Sequence, residues 1–600
     1  MKRSLPLAAV GALVIGIFAA CANPTILELV GGKASDAYYN LLVEGFRNGH
    51  LSLNREAPPG LAQLADPYDP VANTVFRQPG TGVHDTSYYQ GKLYLYFGVT
   101  PALILFWPWV LVTGHYIYHQ WAVVVFCAVG FAVGAGLLAS LWRRYFAEVS
   151  VWIATAGILA FGLAASAPIL LQRADVWEVA VACGHMLTVL ALAALWQALL
   201  KPSHAGRWLA LASLALGLAV GARPSLLVCA AILSLPILDI PRDDKLRFAR
   251  LAGAAIVPLA LCGLGLALYN FLRFGNLFEF GQTYQLAGDR QSLGNHFSLG
   301  YLGFNFRAYF LDPAQWNPHF PFVRDFTLPP APPGHARPED PFGILPNVPF
   351  VVLALAVPLA WRGRSSESAA PLRKFIAAVA WVFGSSAFVL DLFYGNCSRY
   401  EFEFLPALVL LSVAGVFALD RALADRPAWR VGARWVWGTL LAFSIAFNLM
   451  TAIDHYAGWH CDMGNFLFRR GQVDEAIGQY QSALRVEPSF SKVRNNLGIA
   501  FLRQDRLAEA REQYELALKF QPDFEDAHRN LADLLANSNQ WNDAVGQYEM
   551  ALHLEPDDAE AHYGLAMVLS SLGREAEADA QFREAVRLRP DLAPGPGRSP

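Results

Sequence analysis

Long apolar segments are the feature that most constrains what this chain can fold into. They recur from residue 6 to about residue 452, and each is long enough, or nearly long enough, to cross about 30 Å of hydrocarbon as a helix. Of the 600 residues, 54% are hydrophobic and 16% are charged, a balance too apolar for a soluble protein of this size. We therefore predict eleven membrane-spanning helices. They lie near residues 6–22, 120–141, 150–170, 178–199, 208–222, 225–240, 251–271, 346–361, 375–393, 403–419 and 434–452.

One further apolar segment, YFGVTPALILFWPWVLVTG (96–114), is interrupted by Pro101 and Pro108. We interpret it as lying along the outer interface, because a crossing here would move most arginine and lysine clusters outside, against the positive-inside rule. The resulting topology has a cytoplasmic N-terminus and an external C-terminus. It also has two long external loops, at about 23–119 and 272–345, and loops of that length usually have a function.

The first apolar segment, MKRSLPLAAVGALVIGIFAAC, has a basic start and also fits a signal peptide. Its end, FAAC, resembles a weak lipoprotein cleavage site. We favour an uncleaved anchor because a long membrane domain follows and gains a helix from it. Both interpretations place the following residues outside the cytoplasm.

After residue 456 the composition becomes polar and the sequence repeats every 34 residues. Small, aromatic and proline residues recur in fixed columns, namely Ala476, Ala510, Ala544 and Ala578; Tyr480, Tyr514, Tyr548 and Phe582; and Pro488, Pro522, Pro556 and Pro590. The pattern resembles four tetratricopeptide repeats, which stack into a protein-binding solenoid. The fold class is thus all-α, with a polytopic membrane bundle at 1–455. The repeats follow at 457–490, 491–524, 525–558 and 559–592, with a disordered tail at 593–600.

The net charge of −3 and the lack of a basic run argue against a nucleic-acid partner. The seven cysteines show no spacing typical of a zinc site. Only Cys397 and Cys461 lie in polar surroundings, both on the predicted external side. A disulfide between them is compatible with the topology.

Acids and arginines gather on the predicted external side. Ionisable residues at membrane depth tend to mark substrate sites, and an arginine fork suits a phosphate. Arg223, Arg273 and Arg399 are therefore predicted to hold the phosphate of a lipid in the outer leaflet. The other candidates are Asp36, His84, Asp85, Arg173, Asp175, Glu279 and Tyr400.

Residues 1–455 resemble the GT-C superfamily of membrane glycosyltransferases. The similar features are a first helix followed by a loop that opens with an acid (SDAYYNLLVEGFRNGHLSL) and a proline-bearing interfacial helix later in that loop (YFGVTPALILFWPW). A basic pair then ends the next helix (LWRRYF), an external turn carries Arg and Asp, and RYEFEFLPAL enters a late helix. Endoplasmic-reticulum O-mannosyltransferases combine a similar membrane domain with tetratricopeptide repeats.

The resemblance implies that Asp36 is the catalytic carboxylate. Some members of the superfamily carry adjacent acids there, whereas Ala37 follows Asp36 in this chain, so the use of a divalent cation stays open. A carboxylate can act as general base for an acceptor hydroxyl, and fixed arginines can stabilise a phosphate leaving group. No pair of carboxylates suggests a retaining mechanism.

The sequence therefore favours a glycosyltransferase in a bacterial inner membrane, with the repeats in the periplasm. It would move a sugar from a polyprenyl phosphate to a protein or glycan acceptor with inversion, and the repeats would bind a protein partner. One alternative is a ligase that moves whole oligosaccharides from a pyrophosphate lipid or assembles polysaccharide. The other is a non-enzymatic membrane-anchored scaffold or transporter.

Overall fold

The computed structural model describes residues 5–23, 33–77, 83–96, 98–241, 243–288, 290, 296–324, 329–336, 338, 339 and 341–592. The chain is mostly helical (72%). It divides into two compact units. The first, here called the apolar unit, comprises Met1–Trp316 and Val323–Ala452, and the second, the repeat unit, comprises Asn317–Phe322 and Ile453–Pro600.

Helices form almost all of the apolar unit. Its α-helices are α1 (Leu5–Cys21), α2 (Tyr38–Arg47), α3 (Trp107–Thr113), α4 (His119–Tyr145), α5 (Val151–Leu163), α6 (Ala167–Gln172), α7 (Val176–Leu200), α8 (Ala205–Val220), α9 (Lys245–Phe274), α10 (Leu299–Phe306), α11 (Ile344–Asn347), α12 (Ser366–Asp391), α13 (Ser398–Glu401), α14 (Leu405–Ala422) and α15 (Pro427–Arg469). The boundary between the two units lies inside α15.

Each of the eleven predicted apolar segments overlaps at least one helix, and two of them, 150–170 and 346–361, each overlap two. Within the described residues, seven helices are long and apolar enough to cross a membrane: α4, α5 with α6, α7, α9, α12, α14 and α15. The apolar stretch of α5 with α6 is 89% buried and those of α7 and α14 are each 83% buried, whereas that of α9 is only 11% buried. These three buried stretches therefore form the core of the unit, and α9 lies at the periphery.

Two of the predicted spans are 3-10 helices, at Pro224–Ser234 and Pro349–Trp361. Both begin with proline, whose missing N–H is tolerated in a first turn. A 3-10 helix rises about 2.0 Å per residue, against about 1.5 Å in an α-helix. Their 11 and 13 residues therefore extend roughly 22 and 26 Å, further than the same residues would reach as α-helices.

The proline-interrupted segment at 96–114 contains an apolar helix over Ala102–Thr113. Its first turn, Ala102–Phe106, is a π-helix that continues into α3. At about 1.5 Å per residue the whole helix is roughly 18 Å long, short of the thickness of a bilayer. Its position along the interface stays a prediction.

The two long loops contact each other through a small hairpin. Strands β1 (Ser87–Tyr89) and β2 (Lys92–Tyr94) pair antiparallel. Their turn residues Gln90 and Gly91 both have positive φ, as a two-residue type I′ turn requires. Leu286 N–H donates to Thr86 O at 2.8 Å, which joins the second long loop to the first. A shorter pair, β3 (Gln315–Trp316) with β4 (Val323–Arg324), lies later in the second loop.

The repeat unit consists of helix pairs with a 34-residue period. After the end of α15 its helices are α16 (Val473–Val486), α17 (Ser491–Arg503), α18 (Leu507–Phe520), α19 (Glu525–Asn537), α20 (Trp541–Leu554), α21 (Ala559–Ser571) and α22 (Glu575–Leu588). The buried rings of Tyr480 and Tyr514 pack where a Cβ on Gly464 or Gly498 would stand, so glycine permits the close crossing.

Cys397 and Cys461 are both buried and free. Each thiol lies in the packed interior of its own unit.

Candidate functional site

Helix α7 begins at a capping box that also positions an acid. Asp175 Oδ1 accepts a hydrogen bond from Val176 N–H at 2.7 Å, and Glu178 Oε2 accepts one from Asp175 N–H at 3.0 Å. These bonds satisfy N–H groups that the first helical turn leaves unpaired. Asp175 is thus committed to the helix end, 3.5 Å from the imidazole of His119. Glu178 keeps its second oxygen for another partner.

That partner is Arg399, on the short helix α13. Its Nη1 lies 3.7 Å from Glu178 Oε1 and 2.9 Å from Glu339 Oε2. The guanidinium also lies over the rings of Trp177 and Tyr400, at 5.6 and 5.5 Å from their centroids. Two carboxylates and two aromatic rings therefore hold Arg399, whose side chain is only 15% exposed.

Arg173, which precedes α7, reaches the same carboxylate. Its Nη1 lies 3.8 Å from Glu339 Oε2, and its side chain is 60% exposed. The side chain of Glu339 is 48% exposed. Its partial burial would raise the pKa, but Arg399, Arg173 and His84 together outweigh burial and lower the pKa of Glu339 below its ordinary value.

His84 and Asp85 adjoin this group from the first long loop. His84 Nε2 lies 3.8 Å from Asp85 Oδ2, and Gln285 Nε2 donates to Asp85 Oδ1 at 3.1 Å. Burial raises the pKa of Asp85, and His84, Gln285 and Arg399 oppose that effect without cancelling it. The backbone of Asp85 has φ of 54°, a left-handed conformation uncommon outside glycine.

We call these residues the open cluster because several of their side chains reach solvent. It joins residues from four separate stretches of the chain, two of which are long loops. Its members are His84, Asp85, Arg173, Glu178, Glu339 and Arg399.

Arg223 forms a closed ion pair nearby. Its Nε and Nη2 both lie 2.6 Å from Glu403 Oε1, and Ser225 Oγ donates to Glu403 Oε2 at 2.9 Å. The guanidinium lies 4.9 Å from the centroid of the Tyr400 ring. Both Glu403 oxygens are satisfied and its side chain is 2% exposed. Arg223 is therefore already neutralised and has little capacity for a phosphate.

Arg273, the third predicted arginine, already has buried partners. It is buried at the end of α9, where its guanidinium donates to Leu95 O and to Asn270 Oδ1, both at 2.7 Å. The ring of Tyr269 lies 4.0 Å away. Arg273 shares no hydrogen-bond or ring partner with Arg399 in the described part of the chain, whereas Arg223 and Arg399 both contact the ring of Tyr400.

Glu279 also lies outside the open cluster. Its two oxygens accept from Gly281 N–H and from Thr283 Oγ1, both at 2.6 Å. The carboxylate therefore closes a turn in the second long loop.

Asp36 ends the 3-10 turn Ala34–Asp36, directly before α2. Its half-buried carboxylate makes no hydrogen bond or ion pair with any residue that the structure describes. The turn is held by Asn40, whose Nδ2 donates to Ala34 O and to Ile117 O at 2.7 and 2.8 Å. Tyr38 O–H donates to His84 O at 2.7 Å, which connects the start of α2 to the open cluster.

Sequence reasoning missed Glu339 and Glu403. Glu403 stands four residues after Arg399 in RYEFEF, so that motif held a signal for a second paired acid. Glu339 lies in a proline-rich stretch without periodicity, which gives no signal for its partner.

The described residues contain no group of three or more His, Cys, Asp or Glu side chains that could hold a metal ion. The donor set present there does not fit a divalent cation. Glu178 and Glu339 are instead paired with arginines, and Asp85 is paired with His84 and the side-chain amide of Gln285.

Comparison with known proteins bears on the repeat unit. The family described as "Tetratricopeptide repeat" matches residues 461–523 and 529–593. This confirms that the C-terminal repeats are tetratricopeptide repeats. No curated protein matches the chain.

Several solved structures are similar to part of the chain. "Crystal structure of MamA" is 17% identical, with a TM-score of 0.22, and the match covers 24% of this chain and 88% of that one. "First TPR of Spaghetti (RPAP3) bound to HSP90 peptide SRMEEVD" is 26% identical, with a TM-score of 0.19, covering 20% of this chain and 93% of that one.

Proposed function

We propose that the chain is a membrane glycosyltransferase that moves a sugar from a polyprenyl phosphate to an acceptor on the external side. The observation that carries the proposal is the open cluster, where Arg399 and Arg173 meet beside aromatic rings while reaching solvent. Pockets that combine aromatic walls with a few convergent polar groups are typical ligand sites. The resemblance to the GT-C superfamily points to the same chemistry.

In this proposal Asp36 is the general base. It accepts the proton of the acceptor hydroxyl as the hydroxyl oxygen bonds to the anomeric carbon. The bond from that carbon to the phosphate oxygen breaks, and its electron pair goes to the phosphate. Direct displacement inverts the sugar. The lack of a described partner for the Asp36 carboxylate supports the role, because an acid held by an arginine would be a poorer base.

We assign the phosphate to Arg399 and Arg173, here called the arginine clamp. Arg223 and Arg273, which the sequence suggested, already have buried partners. Two arginines aimed at the leaving oxygen would stabilise the charge that develops on it. The rings of Trp177 and Tyr400 supply apolar faces beside the clamp.

The test is transfer from a synthetic polyprenyl-phosphate hexose by the purified full chain in nanodiscs. Asp36→Asn should lower the transfer rate by about 10²- to 10⁴-fold. Asp69→Asn is the matched control, since Asp69 lies in the same long loop and accepts from Val71 N–H at 2.8 Å. Equal rates for Asp36→Asn and the wild type would remove Asp36 from the mechanism.

The same assay separates the two enzymatic alternatives. A pyrophosphate-linked oligosaccharide replaces the monophosphate donor, and the mass of the acceptor reports the transferred glycan. Transfer of one sugar from the monophosphate supports the proposal. Transfer of a whole oligosaccharide from the pyrophosphate supports the ligase.

The tetratricopeptide repeats favour a second function, which is to bind a protein partner or acceptor. The first helices of successive repeats lie closer to one another than the second helices do, so the first helices line the concave side of the array. Along α17 a stripe of Lys492, Asn496, Ile499 and Arg503 reaches solvent at helical spacing. One of the similar structures is described as bound to a peptide.

Site-specific photo-crosslinking in the full chain tests this second function. A crosslinker at Asn496 should capture a protein partner more often than one at Glu512, which lies on a second helix. The capture should persist in Asp36→Asn. Equal capture at both positions would contradict binding along the concave side.

A further inference from the structure

One carboxylate oxygen lies between the two arginines of the clamp. Glu339 Oε2 is 2.9 Å from Arg399 Nη1 and 3.8 Å from Arg173 Nη1. The arginines come from different elements, α13 and the segment before α7, and converge on this one atom. Because an arginine fork binds carboxylate and phosphate oxygens alike, Oε2 occupies a position that a phosphate oxygen could take.

The backbone of Glu339 is held firmly, whereas its side chain is not. Its N–H donates to Asn396 O at 3.0 Å, and its carbonyl accepts from Ser398 N–H at 3.1 Å. Throughout the described residues, the side chain binds nothing but the two arginines. A rotation about its side-chain bonds would therefore release the arginines without moving the loop.

Glu178 is different, although it also contacts Arg399. Its side chain is 3% exposed and accepts from Asp175 N–H. Its departure would break the capping box at the start of α7 and move a buried carboxylate, whereas the side chain of Glu339 is 48% exposed. Of the two acids on Arg399, Glu339 is the one that can be exchanged for a ligand.

We propose that Glu339 is a competing carboxylate, which holds the arginine clamp in the free protein and is displaced by the phosphate of the lipid donor. The inference rests on the proposed function, which places that phosphate at the clamp. Only a ligand that brings anionic oxygens can replace the ion pair that is lost. Glu339 thereby selects phosphorylated lipids over free polyprenols and neutral sugars, and its return helps to release the phosphate product.

Binding of inorganic phosphate and of a polyprenyl monophosphate to the full chain in detergent tests the inference. Glu339→Gln keeps the size of the side chain and removes its charge. In the wild type, only molecules whose arginine clamp is free of Glu339 can bind a phosphate, and this weakens the apparent affinity for both probes. Glu339→Gln should therefore tighten binding of both probes by about 3- to 10-fold. Addition of Arg399→Ala should abolish the gain.

The matched control is Asp66→Asn. Asp66 Oδ2 pairs with Arg290 at 2.7 Å in the long loops, so its change also removes one negative charge from an ion pair. Asp66→Asn should leave the affinity unchanged. An equal gain in both variants would mean that net charge is responsible, and would overturn the inference.

Each of the remaining outcomes either supports or overturns the inference. Unchanged or weaker binding of the lipid to Glu339→Gln, or no binding of either probe to any variant, overturns the inference. Sugar transfer by the wild type without a gain in Glu339→Gln leaves the proposed function standing alone. A gain that is lost with Arg399→Ala, without sugar transfer, supports the competing carboxylate and contradicts the transferase. A gain with the lipid but not with inorganic phosphate identifies the lipid as the ligand.

Discussion

Two arginine–glutamate pairs meet at the ring of Tyr400 and differ in one respect. In the closed pair, Arg223 and Glu403, the carboxylate is 2% exposed and both its oxygens are bonded. In the open pair, Arg399 and Glu339, the carboxylate is 48% exposed. The two guanidiniums are almost equally buried, so the pairs differ in the exposure of the acid and not of the arginine. Residue type and position near a helix end do not reveal this difference.

The largest difference between the pairs should appear in stability. Glu403→Ala leaves Arg223 buried without its counter-ion, which should lower the free energy of unfolding by about 3–5 kcal/mol. Glu339→Ala should change it by no more than about 1 kcal/mol, since a half-exposed pair contributes little. Chemical unfolding in detergent measures both. Equal losses would remove the distinction between the pairs.

A second, smaller effect on stability concerns Glu178, the buried acid that also contacts Arg399. Arg399→Ala should lower the free energy of unfolding by about 1–3 kcal/mol, because Glu178 then loses its cation in a buried position. Glu178→Gln in the same chain should restore part of that loss, as expected for residues in contact. Strictly additive losses in the double variant would show that Glu178 and Arg399 do not interact.

The open pair should also remain ionised, and stabilising, at mildly acidic pH. The arginines outweigh burial and lower the pKa of Glu339. The ion pair therefore contributes fully to the free energy of unfolding above the pKa of this glutamate in the unfolded chain, about 4.3. That contribution is lost as the pH falls through the lower pKa of the folded chain. The stability difference between wild type and Glu339→Gln should therefore persist at pH 5 and fade only below about pH 4.3. A difference that vanishes above pH 5 would contradict the ion pair.

The smallest effect should have the opposite sign. Burial raises the pKa of Asp85 in the folded chain. Above that raised pKa the charged carboxylate lowers the free energy of unfolding, and this loss vanishes below the pKa of Asp85 in the unfolded chain, about 3.9. Asparagine also tolerates positive φ. Asp85→Asn should raise the free energy of unfolding at pH 7 by about 0.5 kcal/mol. A loss at pH 7 would show that the Asp85 charge is well compensated.

The repeats and the helices were predictable because their signals are local. Each column of the 34-residue period is a packing position, as the burial of Tyr480 against Gly464 illustrates. Within the described residues hydropathy likewise located the apolar helices, although it did not indicate that two of them are 3-10 helices.

The pairing of charges was not predictable, since it depends on contacts between distant residues. Arg399 and Glu339 are 60 residues apart, and Arg223 and Glu403 are 180 apart. Composition and topology predicted that the arginines lie on one side of the apolar unit and could not determine which arginine was already satisfied. Arg273 illustrates the same difficulty, because its partners are a backbone carbonyl and an amide.

Sugar transfer by the full chain in nanodiscs tests the central claim most directly. The rate from a polyprenyl-phosphate hexose is compared between wild type and Asp36→Asn, together with their unfolding curves. We predict that Asp36→Asn unfolds like the wild type but transfers at least about 100-fold more slowly. Equal transfer rates, or no transfer by the wild type from any lipid phosphate donor, would contradict the account.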